Sequence, residues 1–207
     1  RPGVGYWTRF TSQIDLTKQG VTLTGDVNIS LKAGWNLIGD PFTNNVNFYS
    51  VKIKDRYGAT YTVPEALSNG LLQSGLFAYV LGGYRDTSLL APWVGNWVKV
   101  QDDATLIVSP AASVTSTAVK KSTEDGWTAS VNVTVNGMID TASHFGIARG
   151  ATEEYDAGID SSKPPVANFG PYIYSAFVGT DSESYGADIR SLGDATPIWT
   201  MSVSTSA

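Results

Sequence analysis

A chain of 207 residues can bury a substantial hydrophobic core, as one large β domain or as two ordinary ones. The formal net charge is −5 and no run of Lys and Arg occurs, so a nucleic-acid partner, which requires a positive surface, is excluded. No apolar stretch is long enough to cross a bilayer, and the absence of cysteine excludes disulfides and zinc–thiolate sites.

The first half of the chain is predicted to form short β-strands separated by turns. Val, Thr, Tyr and Trp are frequent, and apolar and polar residues alternate over short stretches bounded by Gly, Pro, Asn or Asp. One short helix is predicted over residues 64–70, because Pro64 suits the first helical position and Gly70 suits its end. Turns are predicted at residues 55–58 and 82–84. The predicted strands cover residues 2–10, 14–16, 21–24, 27–31, 35–38, 48–53, 60–63, 76–81, 89–90, 92–100 and 104–108.

The segment 32–42 is predicted to be a central strand that buries Trp35, Leu37 and Ile38. Gly-Asp-Pro at residues 39–41 ends it, because Pro removes a backbone donor and forces an extended residue before it. A phrase of the form Pro-x-Val-Gly-x-Trp-x-basic-apolar occurs twice, at residues 2–10 and 92–100. We interpret the repeat as two strands that each place a Trp into a shared core.

A Pro/Ala/Ser-rich patch at residues 109–112 is the predicted domain boundary, which gives domains 1–112 and 113–207. Strands are predicted at residues 127–135, 145–148, 172–177 and 198–203, and Asn136-Gly137 is a hairpin turn signal. The predicted fold is all-β, with two antiparallel β-sandwich or barrel-like domains in tandem and one short helix near 64–70. The chain begins within a strand phrase and stops within an alternating pattern, which predicts a fragment of a longer polypeptide.

Two groups of motifs resemble known modules of exported bacterial proteins. Residues 34–42, with residues 95–100, resemble a module of secreted bacterial surface proteins whose hallmark is the pairing GWNLIGNPF…GYWVKV; Asp40 stands where that pattern usually has Asn. The second half is similar to β-sandwich modules at the C-terminal ends of exported multidomain proteins, including polysaccharide-degrading ones. This second resemblance depends on Phe145, Gly146, Ile147, Ala151, Thr152, Tyr155, Asp156, Asp160, Pro164, Pro165, Asp188, Ile189, Arg190 and Trp199. The resemblance implies an extracellular or cell-surface location rather than a particular activity.

Catalysis is not predicted. His144 is the single histidine, and no Gly-x-Ser-x-Gly phrase is present to hold a nucleophilic serine. Glu153, Glu154 and Asp156 offer carboxylates to a glycosidase, but they crowd one loop, and a solvated loop is the favoured interpretation. A deep pocket in which His144 is hydrogen-bonded to an acid and a nucleophile would contradict this prediction.

The acidic loop of the second half is a candidate calcium site. Glu153, Asp156 and Asp160 provide the oxygen ligands that Ca²⁺ prefers, although their spacing matches no EF-hand loop. The alternative is that these carboxylates cap turns by accepting backbone N–H groups. A structural calcium ion is thus a hypothesis, and no other cofactor is expected.

Sugar binding is predicted through aromatic side chains in loops, because a flat ring can stack on the C–H face of a pyranose while polar neighbours bind its hydroxyls. Trp7, Trp35, Trp97 and Trp199 lie in alternating patterns, so core packing is the favoured use of these four. The candidate ligand-binding residues are Tyr57, Tyr84, Arg85, Trp93, Tyr155 and Tyr185. Ordinary surface exposure is the alternative for each of them.

The sequence therefore predicts a non-catalytic accessory module of a secreted multidomain bacterial protein. Its expected partners are a polysaccharide or cell-surface component and the attached domains of a longer chain, without nucleic acid or a membrane span. The alternative is a structural or adhesive spacer or display module that binds no small ligand. The identity of the neighbouring domains in the longer chain would discriminate the accessory module from the spacer.

Overall fold

The computed structural model describes residues 2–8, 12–15, 20–110, 126–167, 170–193 and 196–206. Regular structure in these ranges is almost entirely strand, which confirms the predicted all-β class with one short helix. The strands are β1 Val27–Leu31, β2 Gly34–Gly39, β3 Val46–Asn47, β4 Lys52–Asp55, β5 Thr60–Thr62, β6 Leu76–Val80, β7 Gly83–Thr87, β8 Leu89–Leu90, β9 Gly95–Val100, β10 Ala104–Val108, β11 Gly126–Val135, β12 Met138–Ala148, β13 Ser161–Ser162, β14 Ile173–Val178, β15 Ser184–Ser191 and β16 Met201–Thr205. The helix α1 spans Val63–Ser68, and no helix in the described ranges has the length and apolarity to span a membrane.

The first half of the chain is a β-sandwich with its own core. One sheet has the strand order β1-β10-β4-β5, the other has the order β2-β9-β6-β7, and β3 pairs with β8 beside them. Both sheets contribute buried side chains to one hydrophobic cluster, for example Ile53 and Leu106 from the first sheet and Ile38 and Val98 from the second. Burial of these aliphatic side chains supplies the main stabilisation of this half.

The predicted central strand is β2, which pairs with β9 from Gly34↔Val100 to Gly39↔Gly95. Ile38 is buried in the core of the first half, whereas Trp35 and Leu37 are half-buried, so their predicted burial is incomplete. Successive side chains in a strand point to opposite faces. Trp35 therefore lies on the other face of the sheet, where its ring packs at 6.3 Å from that of Trp97.

The second half forms one larger sheet with the order β11-β12-β15-β14-β16, and β13 pairs with β15. The predicted Asn-Gly hairpin joins β11 to β12, with φ of 48° at Asn136 and 82° at Gly137. The pairing of β12 with β15 is parallel, which departs from the all-antiparallel prediction, while the other strand pairs are antiparallel. The strand β15 was not among the predicted strands.

The two halves share a second hydrophobic cluster. Phe77 and Tyr84 from the first half pack with Ala142, Tyr174 and other residues of the second half. The backbone also connects the halves, because Ile173 N–H donates to the Gly82 carbonyl at 2.8 Å. The sheet β2-β9-β6-β7 is therefore the middle of three layers. The predicted boundary at residues 112/113 lies outside the described residues and stays a prediction.

Several local predictions need correction. The described part of the opening phrase forms a single bridge, Val4↔Ile38, and residues 21–24 form no strand. The predicted strand 48–53 is a 3-10 turn at Phe48–Ser50 followed by β4, because the Asn47 side chain accepts from Tyr49 N–H and begins the turn. The helix begins at Val63, where Thr62 and Glu65 form a reciprocal capping box. Residues 9, 10 and 16 of the predicted strands lie outside the described residues.

Candidate functional site

A cleft of about 310 Å³, which we call the Tyr57 cleft, lies on the surface of the first half. Three segments meet there: the turn between β4 and β5, the chain after α1, and the chain after β9. The lining residues are Asp55, Arg56, Tyr57, Tyr61, Asn69, Gly70, Leu71, Gln101 and Asp102. The cleft therefore combines two phenol rings with carboxylates, amides and a guanidinium.

The turn that carries Tyr57 is held by a single carboxylate. Asp55 Oδ1 accepts from the backbone N–H of Tyr57 and from that of Ala59, both at 2.9 Å. Gly58 adopts φ of 94°, a left-handed value that glycine accepts without strain. This Asx-type turn at the predicted position 55–58 places Tyr57 at the tip of the β4–β5 hairpin.

Tyr57 is exposed but its ring is oriented by Arg56. Tyr57 is 80% exposed, and the Arg56 guanidinium carbon lies 4.8 Å from the ring centroid. Arg56 Nη2 donates to the Tyr57 hydroxyl at 2.7 Å, and Nη1 donates to Asp102 at 3.3 Å. An ion pair this exposed contributes little to stability, and its geometry places the guanidinium against the Tyr57 ring.

Polar side chains near the Tyr57 ring provide both hydrogen-bond donors and hydrogen-bond acceptors. The Tyr61 hydroxyl donates to Asp55 Oδ2 at 3.3 Å, and desolvation together with that carboxylate raises the pKa of Tyr61. The Asn69 side-chain oxygen accepts from Leu71 N–H at 3.0 Å, while its N–H2 group can donate to a ligand. Asp102 adds an acceptor at the rim.

Two other predicted ligand residues are exposed but lie away from the cleft. Trp93 is 90% exposed in the turn before β9, at φ of 67°, which is strained for a residue with a side chain. The Tyr57 cleft lies beyond the opposite end of β9. It is therefore about 20 Å from Trp93, which is the length of a strand such as β9. Arg85 is exposed on β7. The predicted residues therefore do not form one site.

The predicted exposure of Tyr84 and Tyr185 is wrong. Tyr84 lies within β7 and is 1% exposed, because its ring fills the cluster between the halves and its hydroxyl donates to the Pro165 carbonyl at 2.8 Å. Tyr185 lies in β15, where its hydroxyl donates to Asp181 Oδ2 at 2.8 Å. Tyr155 is half-buried, its hydroxyl donates to Gln73 O at 3.1 Å, and burial raises its pKa to about 12.

The carboxylates of the acidic loop accept hydrogen bonds from backbone N–H groups and pair with an arginine. Asp160 accepts from the backbone N–H groups of Asp156 at 2.7 Å and of Ile189 at 2.8 Å. Asp156 accepts from Thr152, and Glu153 pairs with Arg190 at 3.2 Å. Within the described ranges no three acidic, His or Cys side chains are grouped as a metal site. The contacts favour the turn-capping alternative, and calcium binding stays a prediction.

His144 contacts both an acid and a hydroxyl. Its Nδ1 lies 3.0 Å from Ser130 Oγ, and its Nε2 is hydrogen-bonded to Asp86 Oδ2. Ser130 and His144 face each other in the β11–β12 register, so their contact follows from strand pairing rather than from a strained turn. A cavity of about 220 Å³ is lined by Asp86 and His144 but not by Ser130. A molecule in that cavity would therefore not meet the hydroxyl.

Sequence reasoning missed a half-exposed aromatic face on the second half. The ring centroid of Phe145 lies 5.5 Å from that of Trp127 and 5.1 Å from that of Trp199. The Arg190 guanidinium lies 5.5 Å from the Trp199 ring. The alternation of residues 127–135 gave no signal for this face, because Trp127 lies on the apolar side of the pattern, which is the side expected to be buried.

Comparison with known proteins does not assign this site. No family model, no curated protein and no solved structure matches the chain. The resemblance to surface-protein modules stays a prediction.

Proposed function

We propose that the protein is a non-catalytic module that binds a polysaccharide through the Tyr57 cleft. The observation that supports this most directly is the 80% exposed Tyr57 ring, which Arg56 and the Asp55 turn hold in place at the mouth of the cleft. A large exposed aromatic side chain that is oriented by its neighbours is an unusual surface feature and fits a binding role.

In this proposal the ring of Tyr57 stacks on the C–H face of a pyranose. Asp102 accepts from the sugar hydroxyls and Asn69 donates to them, which fixes the orientation of the sugar. Because the ring is ordered before the ligand arrives, binding loses less side-chain entropy. The volume of about 310 Å³ is at the small end of ligand sites, so a short stretch of polymer is the expected ligand.

A single weak site of this kind suits an accessory module. Affinity for a polymer raises the effective concentration of any domain attached to the same chain. Extracellular or cell-surface location belongs to the same proposal, because insoluble and surface polysaccharides are found there. No chemical transformation of the sugar is part of the proposal.

The test is affinity electrophoresis through gels that contain a panel of soluble polysaccharides. We expect retardation of the wild type by at least one polymer and about ten-fold or more weaker binding for Tyr57→Ala, equivalent to about 1.4 kcal/mol. Trp93→Ala is the matched control, because it removes an exposed aromatic side chain outside the cleft. All three proteins must melt at the same temperature.

Two outcomes would contradict the proposal. Loss of retardation in Trp93→Ala but not in Tyr57→Ala would place the binding surface elsewhere. Unchanged mobility in every polymer would favour the second candidate function, a structural or adhesive spacer or display unit. The hydrophobic cluster shared by the two halves supports that alternative, since it packs them against each other.

A further inference from the structure

A lysine and an aspartate are in direct contact inside the second half. Asp140 lies in β12 and Lys163 follows β13, and both side chains have 0% exposure. The Lys163 Nζ atom lies 2.8 Å from Asp140 Oδ1. Nζ also donates to the Ala142 carbonyl oxygen and, at 3.2 Å, to Ser143 Oγ.

The pair is fully buried and lies beside an apolar cluster. Ala142, Ala176 and Tyr174 belong to the buried cluster beside it, and the Tyr174 ring centroid lies 5.9 Å from Nζ. Burial lowers the pKa of Lys163, although the nearby Asp140 carboxylate acts in the opposite direction. Separated charges are expensive in such an interior. For an amide bond to form, one proton must pass from the Lys163 ammonium to the Asp140 carboxylate, which gives a neutral amine beside a neutral carboxylic acid.

We propose that Lys163 and Asp140 are joined by an intramolecular amide bond between Nζ and Cγ. The lone pair of the neutral amine attacks Cγ, which forms the N–C bond and a tetrahedral intermediate. The Cγ–Oδ1 bond then breaks, the nitrogen loses one proton to the departing hydroxyl, and one water molecule leaves. The reaction is a condensation, so no oxidant or reductant takes part.

The contacts around the pair suit each part of that reaction. Ser175 N–H donates to Oδ2 at 3.2 Å, where negative charge develops in the intermediate. Ala142 N–H donates to Oδ1, the leaving oxygen, at 3.1 Å. The Ser143 hydroxyl accepts from Nζ at 3.2 Å and so orients the amine. Nζ itself lies 2.8 Å from Oδ1, so the proton passes directly to the leaving oxygen. The amine already lies 2.8 Å from Oδ1 of the carboxyl group, which lowers the entropic cost of bringing the reacting groups together.

The bond would act as a covalent staple in a chain without cysteine. It would connect β12, an inner strand of the large sheet, to the segment around Ser162, whose N–H donates to Gln73 O of the first half. This inference is independent of the Tyr57 cleft, and either can fail without the other.

The test is the intact mass of the purified chain under denaturing conditions. We expect the wild type to be lighter than its sequence mass by one water molecule per chain. Lys163→Arg is the control, because it keeps the positive charge and cannot form this amide, and it should have its full sequence mass. A wild type at full sequence mass would overturn the proposal, and this measurement does not depend on whether the variant folds.

The proposal also requires that the water molecule is lost between the Asp140 and Lys163 side chains. Fragmentation of proteolytic peptides should give a branched species that joins the Asp140 and Lys163 side chains. The same mass deficit located at any other residue, such as a cyclised aspartate, would also overturn the proposal.

Discussion

Several carboxylates in this protein hold the backbone in place by accepting its N–H groups. Asp160 is the clearest case: it is 6% exposed and accepts two backbone N–H groups from different segments. Burial raises its pKa to about 7, although the two N–H groups act in the opposite direction. A buried acid of this kind links stability to pH.

We expect the free energy of unfolding to fall as the pH rises from about 4 to about 7 because of Asp160. In that window the folded state holds a proton that the unfolded state has released, since the unfolded pKa is about 3.9. The contribution is present below the unfolded pKa and is lost as the pH passes the folded pKa. Its slope is at most about 1.4 kcal/mol per pH unit.

Urea unfolding of the wild type and Asp160→Asn across this pH range measures the contribution. The variant should have a shallower pH dependence and should lose about 1 kcal/mol at low pH, because one hydrogen bond is missing. Asp26→Asn, at an exposed position, is the control. Parallel curves for the wild type and Asp160→Asn would contradict the expectation.

Calcium should leave the melting temperature unchanged. The oxygens of Asp156 and Asp160 already accept N–H and O–H groups, so a cation would have to displace those donors. Differential scanning calorimetry in chelator and in millimolar CaCl₂ checks this. A higher melting temperature in calcium would support the site predicted from sequence, because a ligand that binds only the folded state stabilises it.

The hydroxyl of Ser130 should have no catalytic effect. It lies outside the cavity beside His144, and its contact with the imidazole follows from strand register. We expect the wild type and Ser130→Ala to hydrolyse p-nitrophenyl acetate at the same rate. A rate for the wild type well above that of Ser130→Ala would reveal a serine hydrolase and overturn the non-catalytic proposal.

Among the elements, the hairpin β11–β12 shows how a two-residue turn sets the register of a sheet. Asn136 and Gly137 both adopt positive φ, as a tight hairpin between twisted strands requires. The turn aligns Val135 with Met138, and a one-residue register shift between Val131 and Val133, a β-bulge, then places His144 opposite Ser130. Most of the second half depends on that alignment, because β12 is the inner partner of both β11 and β15.

Gly137→Ala should destabilise the protein by about 1–2 kcal/mol through backbone strain alone. Gly137 has φ of 82°, and an added Cβ would meet no atom within 4 Å, so no steric clash contributes. Gly170→Ala is the matched control, since its Cβ would also be in open space and its φ is not in the positive range. Equal denaturation midpoints for the two variants would contradict the expectation.

At the scale of the whole molecule, three layers of sheet share two hydrophobic clusters. The middle sheet has aliphatic side chains on the face toward the first cluster and aromatic ones on the face toward the second. Gly83 lies where β7 approaches β12, and an ideal Cβ there would be 2.2 Å from the Ile139 carbonyl oxygen. Backbone therefore packs directly on backbone at this junction.

Gly83→Ala should force the two halves apart and destabilise the protein by about 1–3 kcal/mol, the usual magnitude for overpacking. Gly75→Ala is the control, because a Cβ at that position would meet no atom within 4 Å. Chemical denaturation with intrinsic Trp fluorescence measures both variants. A Gly83→Ala protein as stable as Gly75→Ala would mean that the halves do not pack as described.

The alternation of apolar and polar residues was enough to predict most of the strands, because the period of two is a local property of the chain. The Asx turn at Asp55 and the Asn-Gly hairpin were also predictable, because each turn depends on residues that are close together in the chain. Tyr57 was identified as an exposed loop residue, but the cleft was not predictable, since Asn69 and Asp102 reach it from other segments.

The sequence by itself determined the all-β class, the positions of the main turns and the single helix, because these depend on backbone preferences within a few residues. The tertiary structure alone decided that Tyr84 and Tyr185 are buried, that β12 and β15 run parallel, and that Lys163 meets Asp140. Each of these depends on which distant segment packs against a strand, and residue alternation carries no information about the identity of that partner.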